Sequence, residues 1–223
     1  NGLLLVAEKC KKIFCLDEAE NLAREISLDR DILTNRDVEI EGTSLGKNCL
    51  FFSDEKNAKI YVFKFSDSSI NEIKTDYDLS GDTGSYGMEG ISIDTINNVC
   101  YLLKEKNGKN QSVIHVFRII TVGDNISFNF IKNIFIVQPD NSWRLSDVCF
   151  NSRDNYLYCL KTKYGSYEVD TISTKSISQP GDITINLNSP KLFLDVSSDV
   201  SRLGTQGYNT NMEGIAITDK GIY

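Results

Sequence analysis

Apolar and polar residues alternate along this chain in short runs, and the runs recur in a fixed order. Residues 88–106, MEGISIDTINNVCYLLKEK, align without a gap on residues 145–163, LSDVCFNSRDNYLYCLKTK. Residues 40–56 (IEGTSLGKNCLFFSDEK), 212–223 (MEGIAITDKGIY) and 3–9 (LLLVAEK) repeat all or part of the same unit. A third apolar run follows in KKIFCLD (11–17), AKIYVFKF (58–65), SVIHVFRI (112–119) and GSYEVDTI (165–172). A fourth follows in NLAREISL (21–28), INEIKTDYDL (70–79), ISFNFIKNIFIV (126–137) and KLFLDV (191–196). Runs of Val, Ile, Phe and Tyr bounded by Asp, Asn, Gly and Ser clusters are the mark of antiparallel strands. Four such strands per unit, at a period of about 40 to 50 residues, predict a β-propeller.

The expected architecture is all-β: one propeller domain over residues 1–223, built of four-stranded antiparallel blades. Its inner strands open on Glu41, Glu89, Ser146 and Glu213, at spacings of 48, 57 and 67 residues. Insertions therefore fall in the polar, glycine-rich segments just before the motif, DLSGDTGSYG (78–87) and SRLGTQGYNTN (201–211), which read as loops. The first unit lacks its inner strand and the last lacks its outer strands. Joined, the two halves make a four-bladed ring; separate, they make five incomplete-ended blades.

With 223 residues and 25.1 kDa the chain can bury a substantial core, and no stretch reaches the roughly 18 to 20 apolar residues of a membrane-spanning helix. A net charge of −7 argues against a nucleic-acid partner, because phosphate binding needs clustered Lys and Arg. None of the six cysteines has zinc-ligand spacing. Cys49, Cys100, Cys149 and Cys159 lie in apolar runs and read as buried thiols.

In a propeller the start of each inner strand and the end of the strand after it share one face. Glu41, Glu89 and Glu213 would thus converge on one channel mouth, where their charges repel unless a cation, a proton or hydrogen bonding offsets them. Calcium suits such a site, since it takes six to eight oxygen ligands in loose geometry. Loop oxygens of Asp82, Thr83, Asn209, Thr210 and Asn211 precede two of the motifs and are candidates to complete a shell or contact a ligand. Ser146 breaks the pattern, with Asp147 beside it, and Trp143 in DNSWRLSD is a candidate aromatic platform on the same face. The motif has a second reading: Glu accepts backbone N–H groups from a neighbouring blade and Gly permits close chain approach.

At the ends of the second strands stand Glu8-Lys9, Glu55-Lys56, Glu105-Lys106 and Thr162-Lys163, which read as a solvated rim. The single histidine, His115, aligns with Phe14, Tyr61 and Tyr167, an aromatic slot between blades, and reads as a core residue. With the one histidine assigned to the core and no other available, neither a Ser-His-Asp triad nor a histidine-rich metal site is expected. Nucleotide-binding and nucleophile-elbow motifs are absent as well.

The successive segments KKIFCLDEAENLAREISLD, VEIEGTSLGKNCLFFSDEKNAKIYVF, GMEGISIDTINNVCYLLKEKN and NMEGIAITDKGIY resemble the SdiA-regulated (YjiK-like) family of bacterial proteins. The resemblance implies a five-bladed propeller with ragged ends, exported or attached to a membrane through an N-terminal segment outside this sequence, and hence extracytoplasmic. It implies no reaction, and propellers host enzymes and binding modules alike. The expected function is a non-catalytic binding or interaction propeller for a small molecule or protein, with a structural Ca2+ as a candidate at the mouth. The alternative is a calcium-dependent hydrolase of the esterase, lactonase or phosphoesterase type.

Overall fold

The computed structural model describes residues 3–7, 12–17, 19, 21–28, 33, 37–81, 86–107, 109–138, 140–163, 165–187, 192–198, 201–202, 214–217 and 221–222. The repeat resolves into successive antiparallel sheets. The first contains β1 (Leu3–Ala7), β2 (Lys12–Leu16) and β3 (Leu22–Ser27) in that order. The second contains β4 (Ile40–Leu45), β5 (Cys49–Asp54), β6 (Lys59–Lys64) and β7 (Ile70–Glu72), after which comes the short β8 (Lys74–Thr75). The third is built on β9 (Met88–Asp94), β10 (Val99–Lys104), β11 (Ser112–Val122) and β12 (Asn125–Val137). The fourth runs from β13 (Arg144–Asn151) through β14 (Tyr156–Lys163) and β15 (Ser166–Ser173); β16 (Ile183–Asn186) leaves it, and β17 (Leu192–Asp195) returns to pair with β15. Ile217 and Ile222 bridge one another beyond it.

The turns repeat along with the strands. Asn48, Asn98 and Asn155 each stand immediately before the second strand of a blade at positive φ, 60°, 53° and 60°. Asn tolerates this left-handed conformation better than other residues with a side chain. Asp94 closes its turn by accepting the Ile96 and Asn97 amides at 2.9 and 3.0 Å.

Both faces of the central strands are apolar, so each core forms between consecutive sheets. Ile13, Leu50, Phe52, Tyr61 and Phe63 join the first and second, and Phe51, Ile60, Met88, Cys100 and Phe117 join the second and third. Tyr101, Leu103, Leu145, Leu157 and Cys159 join the third and fourth. Tyr158, Leu160 and Val169 receive Ile215, Ile217 and Ile222.

A repeated side-chain bond ties neighbouring inner strands. Ser44 Oγ accepts the Ile93 amide at 2.9 Å, and one blade on, Ser92 Oγ accepts the Phe150 amide at 2.8 Å. Cys149 holds the same position in β13, and its sulfur receives the Ile217 amide. Cys49, Cys100 and Cys159 are buried free thiols, whereas Cys15 and Cys149 are half-buried; Cys10 lies outside the described residues.

Three features depart from the sequence pattern. INEIKTDYDL does not form one outer strand: β7 stays on its own sheet, while β8 pairs in parallel with Ser127–Phe128 of the next blade. β16, in a stretch with no strand signal, pairs in parallel with Ile134–Val137 of the same strand. Between them Asp76 accepts the Phe130 amide at 2.6 Å, Asp182 accepts the Asn133 amide at 2.7 Å, and the buried Lys132 ammonium donates to the carbonyls of Ile177 and Gln179. Finally, His115 is buried as expected, 5.1 Å from the Tyr77 ring and with Nδ1 2.7 Å from Asn133 Oδ1. Its register equivalents are Tyr61 and Asp170, not Tyr167: His115 pairs with Leu102, Tyr61 with Phe52 and Asp170 with Cys159.

A carboxylate-lined mouth as the candidate functional site

Each described motif residue sits in a β-bulge at the start of an inner strand. Met88 pairs with Lys104 and Gly90 with Leu103, leaving Glu89 as the extra residue. In β13, Leu145 pairs with Lys161 and Asp147 with Leu160, leaving Ser146 extra. In β4, Ile40 pairs with Asp54 and Thr43 with Phe52, so Glu41 and Gly42 face Ser53 together. A bulge frees one residue from the ladder and re-aims its side chain. Equivalent bulges in adjacent strands therefore present Glu41, Glu89 and Ser146 in the same way.

The glycine of the motif brings the blades into contact. A Cβ on Gly42 would lie 2.6 Å from Ile91 N and 2.7 Å from Glu89 O, and one on Gly90 would lie 3.0 Å from Asp147 Cα. The close-approach reading of the glycine thus holds. Asp147 takes the glycine position in β13, and its buried carboxylate accepts the amides of Val148 at 2.7 Å and Ile215 at 2.8 Å. Burial pushes its pKa up to about 7, against the pull of those two hydrogen bonds.

The second-strand ends bring two more carboxylates to the same mouth. Gly87 joins them: its amide donates to Glu55 Oε1 at 3.3 Å, and its carbonyl accepts the Glu105 amide at 2.9 Å. Glu105 is only 2% exposed and lies 3.3 Å from Arg144 Nη1, while Arg144 Nε donates to Thr162 Oγ1 at 3.1 Å. The solvated-rim expectation therefore fails for Glu105, because the neighbouring blade covers it. It holds for Lys56, exposed and paired with Asp37.

Glu105, Glu55 and Glu41 all act on Glu89. The Glu89 pKa is pushed up to about 9, first by burial, then by its hydrogen bond to Glu105, then by the charges of Glu105, Glu55 and Glu41. The Glu89 carboxyl is thus held well above the usual carboxylate range by its burial and its acidic neighbours. Arg144 offsets part of the repulsion through its ion pair with Glu105. Among the described residues, no three His, Cys, Asp or Glu side chains are arranged to hold a metal ion.

In β13, Ser146 is 1% exposed and its Oγ has no hydrogen-bond partner. Trp143 is half-buried, with Lys161 Nζ 4.6 Å and Lys163 Nζ 5.6 Å from its ring centroid. Lys161 is itself buried, 2.6 Å from Glu168 and 3.0 Å from Asp170. Asp82, Thr83, Asn209, Thr210, Asn211 and Glu213 lie outside the described residues. Sequence reasoning reached Glu41, Glu89, Ser146 and Asp147 through the repeat. It missed Arg144 and Lys161, which carry no repeat signal, and misjudged Glu105.

Chemically, the mouth offers carboxyl oxygens and the Arg144 guanidinium. The sequence's single imidazole is packed among Tyr77 and Phe117.

A chain in the crystal structure of a nidogen/laminin complex superposes with a TM-score of 0.52 at 11% identity, over 86% of this chain and 61% of that one. A glutaminyl cyclase of Myxococcus xanthus gives 0.48 at 14% identity, over 95% and 75%. A putative 6-phosphogluconolactonase of Bacteroides uniformis gives 0.45 at 14% identity, over 97% and 60%. At such identities likeness concerns the fold, and the first of them bears out the β-propeller read from the repeat. No protein of curated function matches the sequence. The sequence profile of the SdiA-regulated proteins matches residues 1–172, and the chain belongs to that family.

Proposed function

We propose that this propeller is a non-catalytic binding module that works outside the cytoplasm and receives its ligand at the mouth formed by Glu41, Glu55, Glu89 and Glu105. The observation that carries the reading is the preorganisation of these acids. Glu55 is fixed by the Gly87 amide and Glu105 by Arg144, so their oxygens are positioned before anything arrives, which lowers the ordering cost of binding. Nucleophilic catalysis needs a nucleophile within reach of a base, and Ser146 Oγ has no such partner. The extracytoplasmic location rests on the family resemblance.

Thermal-shift titration against panels of cationic, neutral and anionic small molecules, run beside ester, lactone and phosphoester turnover assays, tests the reading. The expected result is a rise in Tm with at least one panel, diminished in Glu89→Gln, and no turnover. Turnover that disappears in Glu89→Gln would overturn it in favour of a hydrolase. Chelator-sensitive turnover would assign that hydrolase to calcium.

A further inference from the structure

Between β14 and β15 the fourth sheet buries an amine against two acids. Lys161 pairs with Glu168 across the two strands, and Asp170 pairs with Cys159. Alternation then puts Lys161, Glu168 and Asp170 on one face, the face whose Leu157 and Cys159 pack against the third sheet. Lys161 Nζ lies 2.6 Å from Glu168 Oε2 and 3.0 Å from Asp170 Oδ2, an oxygen bonded to the carbon an amine would attack. The Lys161 and Asp170 side chains are each 1% exposed, whereas Glu168, at 22%, reaches toward solvent. The Trp143 ring covers the ammonium, its centroid 4.6 Å from Nζ. Among the described residues, Lys161 alone reaches the Asp170 carboxylate.

Two effects favour condensation of this pair. Holding amine and acid together turns an encounter in solution into a unimolecular step. Burial penalises both charges, and an amide carries neither. Burial indeed holds the Asp170 carboxyl above its usual range, against the pull of Lys161. On Lys161 burial acts downward, but Glu168 and Asp170 raise the ammonium to a net upward shift. The amine therefore needs a base beside it, and Glu168 is in place as one.

We propose that Lys161 and Asp170 join in an intramolecular isopeptide bond, with Glu168 as the proton carrier, and that the ion pair seen here is the state from which the bond forms. Glu168 takes one proton from the Lys161 ammonium, and the freed Nζ lone pair attacks Asp170 Cγ. As the C–N bond forms, the nitrogen gives up a second proton to an Asp170 oxygen. Glu168 returns the first proton to that oxygen, the C–O bond breaks, and water leaves. The nitrogen keeps its third hydrogen, Glu168 ends as it began, and the step balances without an oxidant or co-reactant. The bond fastens β14 to β15, the strand on which β17 returns.

Intact mass spectrometry of the full chain, reduced and denatured, tests this, since denaturation separates an ion pair but not an amide. The expected mass is that of the sequence less one water molecule. Trypsin should fail to cut after Lys161, and fragment spectra should join the peptide bearing Lys161 to the one bearing Asp170. Lys161→Arg and Asp170→Ala should each restore the full sequence mass. Glu168→Ala keeps both reacting groups and should also stay at the full mass, because it lacks the proton carrier. Far-UV circular dichroism shows whether each variant is folded, and the mass and fragment spectra of the unmodified chain decide the matter if none is. The proposal fails if the unmodified chain has the full sequence mass, if the water loss persists in Lys161→Arg, or if it maps to another pair of residues. A bond formed as completely in Glu168→Ala would overturn the proton relay.

Discussion

The amide of Ile215 donates to Asp147 Oδ2 at 2.8 Å, linking β13 to a segment 68 residues further along the chain. Asp147 stands where the repeat otherwise has glycine, so a side chain supplies here a link that backbone contact supplies between Gly42 and β9. The substitution that breaks the motif is therefore also a strut.

Asp147→Ala removes that acceptor and leaves a buried amide unpaired, a loss of about 1–3 kcal/mol. Asp147→Asn keeps an oxygen acceptor and should cost less. The two variants also separate by pH. The folded-state pKa of Asp147 is raised from 3.8 to about 7, so its contribution is fully present below the unfolded value and is lost as pH rises toward 7. Urea denaturation at pH 4 and pH 7 should show a larger loss in the unmodified chain than in Asp147→Asn, whose remaining decline comes from Glu89.

Glu89 extends the same sign to a higher window. Its pKa moves from 4.5 to about 9 on folding, so the native state binds the extra proton throughout that interval. Stability should decline from about pH 5 to pH 9, by at most about 1.4 kcal/mol per unit. Glu89→Gln mimics the protonated acid and should flatten the profile. A melting temperature that falls as steeply in the variant would show that the decline has another origin.

Gly42→Ala places a methyl group against backbone atoms of the next blade, 2.6 Å from Ile91 N and 2.7 Å from Glu89 O. Backbone cannot rotate aside as a side chain can, and overpacking of this kind costs about 1–3 kcal/mol or more. Gly81→Ala, where nothing lies within 4 Å, should be close to neutral. Equal melting temperatures for the two would contradict the close approach.

Lys161 is 1% exposed between Glu168 and the equally buried Asp170. Lys161→Met strands the Asp170 carboxylate in the core and should cost about 3–5 kcal/mol. Adding Asp170→Asn should recover a large part of the loss. A double-mutant cycle by chemical denaturation measures the coupling, and additive losses would contradict the pairing.

The inner strands were legible in the sequence because β9 and β10 are buried on both faces and repeat the β13–β14 pair residue for residue. The fate of the outer segments was not. β16 is four residues long with alternate residues exposed, and its partner is in another blade, so no local pattern marks it. At the mouth, Glu41 and Glu89 follow from the repeat alone. The burial of Glu105 does not, because it depends on Arg144, which follows 39 positions later in the chain. The register equivalent of His115 is Asp170 rather than the expected Tyr167 because it depends on the length of the hairpin between β14 and β15, which no local pattern marks.

The covering of β12 has a consequence for association. A strand of 13 residues rich in Phe and Ile at the rim of a sheet is a template on which a second chain can build. Here β8 and β16 occupy its two ends, and the carboxylates of Asp76 and Asp182 occupy amides between them. Blade insertions that look like loose connectors thus act as guards: they keep this rim from growing into an intermolecular sheet, and their loss would turn a folded propeller into a seed for its own aggregation.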